Sequence, residues 1–151
     1  MSNKIRVLSI FDGIGGCRQA LKELNIDCEY YASEIDTYAI KVAKANHPDV
    51  IHIGDVKDVK HIENIELLIG GSPCQDLSIA KKDRKGLDGE RSGLFYEYVR
   101  ILNETKPKYF ILENVNSAPI EVKIIMAKCF ATGLTPKDEE WDDWEIIQEN
   151  A

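Results

Sequence analysis

The residue best placed for covalent chemistry is Cys74, which stands in Gly-Gly-Ser-Pro-Cys-Gln directly after a short apolar run. Two glycines and a proline indicate a loop and not a periodic apolar face. A cysteine becomes nucleophilic when nearby cations or a helix N-terminus lower the pKa of its thiol. The cations that follow could do this, could hold nucleic-acid phosphates, or could form a solvated loop; they are Lys81, Lys82, Arg84 and Lys85.

A carboxyl group is predicted to lie close to this thiol. Glu113 follows the apolar run Tyr109–Leu112. If the strands before Cys74 and Glu113 are neighbours in a parallel sheet, both residues could face one pocket. A carboxyl group beside a thiol nucleophile suits attack on a ring that must be protonated as it is attacked. The alternative is a buried glutamate that caps the next turn.

A glycine-rich turn, Phe11-Asp12-Gly13-Ile14-Gly15-Gly16, ends the first predicted strand. Glycines at such a place let the backbone approach a ligand, and the following helix offers free N–H groups. The turn lacks the dinucleotide fingerprint, because the third glycine counted from Gly13 would fall on Arg18. The carboxylate of Asp12 would also repel a pyrophosphate. The turn therefore suits a phosphate-free cofactor that carries an amino group and a sulfonium. The alternative is a tight turn between strand and helix that binds no ligand.

Acidic residues also end the second and third predicted strands. Glu34 suits hydrogen bonds to ribose hydroxyls, and Asp55 could accept from the exocyclic amine of adenine. Taken singly, Glu34 could be a charge at a helix N-terminus and Asp55 could be a helix cap. Three successive strands that end in Asp12, Glu34 and Asp55 together indicate an adenosine-type ligand.

Apolar strands and amphipathic helices alternate along the chain and must position these residues. The predicted strands are Lys4–Phe11, Asp27–Ser33, Val50–Ile53, Leu67–Ile69 and Tyr109–Leu112. The predicted helices are Gly15–Leu24, Thr37–Asn46, Gly93–Asn103 and Glu121–Phe130. This alternation predicts an α/β fold with a doubly wound, mostly parallel sheet.

Composition narrows the class of protein. The chain has 151 residues, which predicts one domain, and a net charge of −7. Residues 137–151 hold one lysine and seven acidic residues and so carry −6 of that charge; the nearly neutral remainder does not exclude nucleic acid. The cysteines and histidines lack zinc spacing, and neither a signal peptide nor a membrane span is indicated. We therefore expect a cytoplasmic protein without a metal.

The motifs, in this order, resemble those of the DNA cytosine-5 methyltransferase family. The turn at 11–16 looks like its first cofactor motif, and Gly71–Gln75 resembles its catalytic Pro-Cys motif. Gly93–Phe95 resembles a further cofactor-side motif, and Glu113–Val115 the Glu-Asn-Val motif. The stretch 76–87 is similar to the branch that contains animal de novo enzymes and some phage enzymes. The resemblance implies a Rossmann-like methyltransferase fold, S-adenosyl-L-methionine as cofactor, DNA as substrate, and a bacterial or phage source.

The resemblance also implies a role for each matching residue. The catalytic residues are Cys74 and Glu113. The cofactor-binding residues are Phe11, Asp12, Gly13, Ile14, Gly15, Glu34, Ile35, Asp55, Val56, Pro73 and Leu94. The substrate-binding residues are Ser72, Gln75, Ser78, Arg84, Lys85 and Asn114. In the implied mechanism a flipped cytosine receives the Cys74 thiolate at carbon 6 while Glu113 protonates nitrogen 3. Carbon 5 then takes the methyl group, and loss of its proton releases Cys74.

The resemblance ends after about residue 115. We expect residues 1–115 to form the cofactor-binding and catalytic core, and 116–151 to be a short helix with an acidic tail that carries Trp141 and Trp144. The family's Gln-x-Arg-x-Arg motif and target recognition region are not found. The first hypothesis is therefore a methyltransferase completed by a second chain that carries those parts. The alternatives are a truncated module that only binds S-adenosylmethionine, a tRNA cytosine-5 methyltransferase, or an unrelated α/β oxidoreductase.

Overall fold

The computed structural model describes residues 4–73, 94–114, 120–134 and 138. Its strands are β1 (Ile5–Ile10), β2 (Cys28–Ser33), β3 (Ile51–Gly54), β4 (Leu67–Gly70) and β5 (Tyr109–Leu112). Its helices are α1 (Gly16–Glu23), α2 (Thr37–Asn46), α3 (Phe95–Thr105) and α4 (Ile120–Thr132), with a 3-10 helix at Val56–Asp58. The strands form one sheet in the order β3-β2-β1-β4-β5, and every pairing is parallel. The predicted α/β fold class is confirmed.

The strand order reverses between β1 and β4. From β1 the chain proceeds outward to β2 and β3, then returns to the other side of β1 for β4 and β5. Ligands of open parallel sheets bind outside the carboxyl ends of the strands at such a reversal. The topology therefore gathers the segments that follow all five strands at one edge of the sheet.

Helices cover both faces of the sheet, because successive side chains of each strand point to opposite sides. On one face, Leu21 of α1 packs with Val7 and Ala32. On the other face, Tyr98 of α3 packs with Leu8. Helix α4 lies beside α3, where the Phe130 ring makes an edge contact with the Tyr98 ring at 5.9 Å between centroids. Coverage of both faces makes the sheet doubly wound.

The element boundaries differ from the predicted ones by one or two residues at most ends, and the bounds of α2 and β5 coincide with them. One element was not predicted: the 3-10 helix at Val56–Asp58. The proposed division of the chain near residue 115 falls in a stretch outside the described residues. Within the described part of the chain, no helix is long and apolar enough to cross a membrane.

Candidate active site

A cleft with a volume of about 370 Å³ opens at the carboxyl ends of the strands. It is lined by Phe11, Ser33, Glu34, Ile35, Asp55, Val56, Lys57, Pro73 and Leu94. Seven of these lining residues were predicted to bind a cofactor, and they come from segments after β1, β2, β3 and β4 and from the start of α3. Ser33 and Lys57 were not predicted. A strand-end position was the signal available for Ser33, whose hydroxyl donates to the Gly54 carbonyl at 2.8 Å.

Glu34 ties the first two strand-end loops together. Its Oε2 accepts the N–H of Gly13 at 2.8 Å, and its Oε1 accepts the N–H groups of Ile35 and Asp36 at 2.8 and 2.9 Å. A carboxylate offers about four lone-pair sites, so these three bonds leave about one for a ligand hydroxyl. Glu34 therefore supports the backbone of both loops and also lines the cleft.

Asp55 also has a structural bond beside its place on the cleft. Its Oδ1 accepts the N–H of Lys57 at 3.0 Å and so caps the 3-10 helix. Its second oxygen can accept from a ligand amine without loss of that cap. Val56, the next residue, is 4% exposed and anchors the turn in the core.

Asp12, which was predicted to bind the cofactor, is not among the residues that line the cleft. It is 9% exposed, and its Oδ1 accepts the hydroxyl of Tyr30 at 2.6 Å. Burial and the neighbouring carboxylate hold the pKa of Tyr30 well above its ordinary value, so this phenol remains a donor. Two strand-end acids therefore line the cleft, while the third is buried against Tyr30.

The glycine-rich turn contributes to the cleft mainly through its backbone conformation, and Phe11 is its one residue that lines the cleft. Phe11 lines the cleft with a left-handed φ of 57°, a conformation uncommon outside glycine. Gly15 has a φ of 86°, and a Cβ atom there would lie 3.1 Å from the His47 ring. Ile14 is 62% exposed. Gly13, Ile14 and Gly15 are thus beside the cleft and do not line it.

Glu113 and the loop that leads into Cys74 lie side by side. Strands β4 and β5 pair directly, and the N–H of Glu113 donates to the Gly70 carbonyl at 2.9 Å. A Cβ atom on Gly71 would lie 2.7 Å from Oε2 of Glu113. The carboxylate is therefore in contact with the backbone three residues before Cys74.

Two predicted substrate-binding residues flank this contact. Ser72 is 4% exposed. The side-chain amide of Asn114 donates to the Met126 sulfur at 3.0 Å, which holds Asn114 against α4. Five predicted site residues lie outside the described residues: Cys74, Gln75, Ser78, Arg84 and Lys85. Trp141 and Trp144 lie outside them as well.

The cleft fits an adenosine-type group. Its volume lies in the range of small-molecule sites. Phe11, Val56 and Leu94 give apolar surface for a flat base, and Glu34 and Asp55 can accept from hydroxyl and amine groups. The same two carboxylates oppose a phosphate group by like charge. In the described ranges, no cluster of three or more histidine, cysteine or acidic side chains could hold a metal ion.

Comparison with known proteins identifies relatives of this chain. A family model described as C-5 cytosine-specific DNA methylase matches residues 5–119. The orphan methyltransferase M.Rho11sI of Bacillus phage rho11s is 43% identical over 118 residues, which are 75% of this chain and 23% of that protein. The type II methyltransferase M1.ScrFI of Lactococcus lactis subsp. cremoris is 42% identical over 145 residues, 95% of this chain and 36% of that protein.

A third relative, the orphan methyltransferase M.SPRI of Bacillus phage SPR, is 44% identical over 117 residues, 74% of this chain and 26% of that protein. The chain thus spans between 23% and 36% of the length of these three relatives. The matched range runs from β1 past Glu113 and so includes both the cleft and the segment that contains Cys74. The chain belongs to the C-5 cytosine-specific DNA methylase family.

Proposed function

We propose that this chain forms the cofactor-binding and catalytic part of a DNA (cytosine-5)-methyltransferase that uses S-adenosyl-L-methionine. The observation that carries the proposal is the meeting of two features at one sheet edge. One is the cleft with Glu34 and Asp55 on its wall, and the other is the contact between Glu113 and Gly71. A nucleoside-type cofactor and a protonating carboxyl group are both required for this reaction.

The residues of the cleft would divide the cofactor between them. Glu34 would accept from the ribose hydroxyls, and the free oxygen of Asp55 would accept from the adenine amine. Phe11, Val56 and Leu94 would enclose the flat base with apolar surface. When bound, S-adenosylmethionine supplies an electrophilic methyl group on its sulfonium.

Cys74 and Glu113 would act on the cytosine. The Cys74 thiolate forms a bond to ring carbon 6 as Glu113 gives a proton to nitrogen 3, so negative charge does not accumulate on the ring. Carbon 5 thereby becomes nucleophilic and accepts the methyl group. Loss of the carbon 5 proton to a base then expels the Cys74 sulfur as a thiolate, and return of the nitrogen 3 proton to Glu113 leaves the neutral aromatic ring.

We further propose that a second chain completes the enzyme and presents the DNA. Tyr109 and Ile111 of β5 are 60% and 56% exposed, and among the described residues β5 pairs with β4 on one side. An exposed apolar edge of this kind suits a strand from another polypeptide. The relatives contain more sequence than this chain covers, and the equivalent of that remaining part is the occupant we propose for this edge.

Cofactor binding is tested by calorimetric titration of S-adenosylhomocysteine into the whole chain. Glu34→Gln and Asp55→Asn should each weaken binding by about tenfold, since a charge-assisted hydrogen bond is worth about 1.5–3 kcal/mol. Glu23→Gln is the matched control, because Glu23 is an exposed carboxylate on α1 away from the cleft. No heat of binding with the unaltered chain would reject the cofactor site.

Catalysis is tested by covalent trapping on a duplex that contains 5-fluorocytosine, with S-adenosylmethionine and a co-expressed segment that supplies the rest of a relative. We expect an adduct with the unaltered chain and none with Cys74→Ser. Cofactor binding without an adduct would favour a non-catalytic binding module. An adduct with 5-fluorocytosine tRNA in place of DNA would favour a tRNA methyltransferase.

A further inference from the structure

Arg100 connects α3 to the 3-10 helix that carries one wall of the cleft. Its Nη2 donates to the carbonyl of Val56 at 3.0 Å, and its Nη1 donates to the carbonyl of Val59 at 3.0 Å. The guanidinium is oriented by two acids of its own helix, Glu97 at 2.8 Å and Glu104 at 2.9 Å. One side chain therefore holds two main-chain carbonyls of the neighbouring turn.

The 3-10 helix depends on such outside support, because a single short turn is not stable by itself. Asp55 caps its N-terminal end by accepting from the N–H of Lys57. Val56 and Val59 are 4% and 5% exposed and anchor it in the core. Arg100 satisfies carbonyls at the two ends of the turn, so it fixes the position of the whole segment.

The segment held by Arg100 lines the cleft together with the residue that precedes α3. Asp55, Val56 and Lys57 are lining residues, and so is Leu94, directly before α3. Arg100 belongs to α3 and so links these two parts of the lining: two of its hydrogen bonds reach the turn, and the other two orient the guanidinium on α3. A shift of the turn would change the distance between Asp55 and Leu94. It would therefore change both the space available to a base and the position of the Asp55 oxygen that accepts from it.

We infer that Arg100 is a positioning residue that sets the selectivity of the cleft for adenine over other bases. The inference rests on the proposed function, in which Asp55 accepts from the adenine amine. A site built to pair a polar group rejects a ligand that lacks the matching donor, but only while its acceptor is held in place. Arginine suits this task because its planar fork can hold two carbonyls at once, which a lysine ammonium does not reproduce.

The test compares two ligands in calorimetry: S-adenosylhomocysteine and S-inosylhomocysteine, in which a carbonyl replaces the exocyclic amine. The unaltered chain should prefer the adenine compound by about tenfold or more, because the carbonyl of the inosine compound cannot donate to Asp55. Arg100→Met should reduce this preference to about threefold or less. Arg100→Lys should also reduce it, because one ammonium cannot replace the fork.

Lys22→Met is the matched control, because Lys22 is an exposed cation on α1; it should keep the full preference. A merely structural Arg100 would lower the affinity for both ligands by the same factor and leave their ratio unchanged. An unchanged ratio, measured on a variant that circular dichroism shows to be folded, would overturn the inference. If Arg100→Met does not fold, the same ratio measured on Arg100→Lys decides.

A second measurement separates this inference from the proposed function. In the ligand-free chain, Arg100→Met should speed hydrogen exchange at the N–H groups of Lys57 and Val59, while the Gly13 N–H, held by Glu34, should be unchanged. If the unaltered chain binds neither ligand but this exchange pattern appears, the proposed function fails and the positioning of the turn stands. Unchanged exchange at Lys57 and Val59 would overturn the positioning role itself.

Discussion

A Cβ atom on Gly71 would lie 2.7 Å from Oε2 of Glu113, so the loop that leaves β4 and the carboxylate that follows β5 are packed directly against each other. The N–H of Glu113 donates to the carbonyl of Gly70 at 2.9 Å, which fixes the two segments at the level of the backbone. The position of the proposed proton donor is therefore tied to the chain that leads into Cys74.

Gly71→Ala should displace the Glu113 carboxylate, because the new methyl group meets the movable end of that side chain. We expect the rate of adduct formation with 5-fluorocytosine DNA to fall by about tenfold or more, since misplaced catalytic groups are costly. Gly70→Ala provides the contrast, because its Cβ would lie 2.6 Å from the Ile10 carbonyl oxygen in β1. That backbone cannot move aside easily, and the variant should lose about 1–3 kcal/mol of stability in urea. Equal loss of stability in both variants would contradict this distinction.

Tyr30→Phe should destabilise the chain by about 1–3 kcal/mol, because it leaves the buried carboxylate of Asp12 without its phenol donor. Urea unfolding measures the loss, and Asp12→Asn, which removes the buried charge, should reduce the added cost of Tyr30→Phe. The pKa of Tyr30 is raised by burial and by Asp12, so its contribution is present below about pH 10 and is lost as pH rises above it. Tyr30→Phe should flatten that alkaline loss, and an unchanged alkaline slope would argue against the pair.

His52 should make stability depend on mildly acidic pH. Burial lowers its pKa, Lys44 lowers it further and Asp12 opposes them, while neither ring nitrogen has a hydrogen-bond partner among the described residues. The unfolded chain therefore takes up the proton first, and stability falls as pH drops below about 6.5 towards the folded-state pKa. His52→Leu should reduce the slope of unfolding free energy between pH 7.5 and 5.5. Equal slopes in the two proteins would show that His52 does not contribute to this pH dependence.

The thiols should differ in reactivity. Burial raises the pKa of Cys129 to about 11 and also raises the pKa values of Cys28 and Cys17. Little thiolate is therefore present on these residues at neutral pH, and iodoacetamide should label them slowly. We expect Cys74 to be alkylated first, as measured by mass spectrometry of peptides from the folded chain at pH 7.5. Labelling of Cys129 before Cys74 would count against Cys74 as the activated nucleophile.

The strands and long helices could be predicted because their periodicity is local. The contact of Glu113 with Gly71 was also within reach, since it follows from two neighbouring parallel strands. The 3-10 helix at Val56–Asp58 could not be predicted, because three residues are too few to show a helical period. Its support comes from Arg100, which lies 41 residues after Val59 and 44 residues after Val56.

The side chain of Asp12 likewise depends on a long-range contact that local sequence does not predict. Its place in the turn is readable from the sequence, and a contact with the ligand was the natural prediction. The direction of its side chain depends on Tyr30, which lies 18 residues away on the next strand. Long-range partners of this kind decide which of several similar acids lines the cleft.

The exposed side chains of β5 also affect how the chain behaves in solution. Tyr109, Phe110 and Ile111 are 60%, 45% and 56% exposed on consecutive positions of the last strand in the sheet that the described residues form. An apolar edge strand is a template for pairing between copies of a chain, and such pairing increases with concentration. The yield and colloidal stability of a preparation should therefore depend on what covers this one strand, independently of how well the cleft is formed.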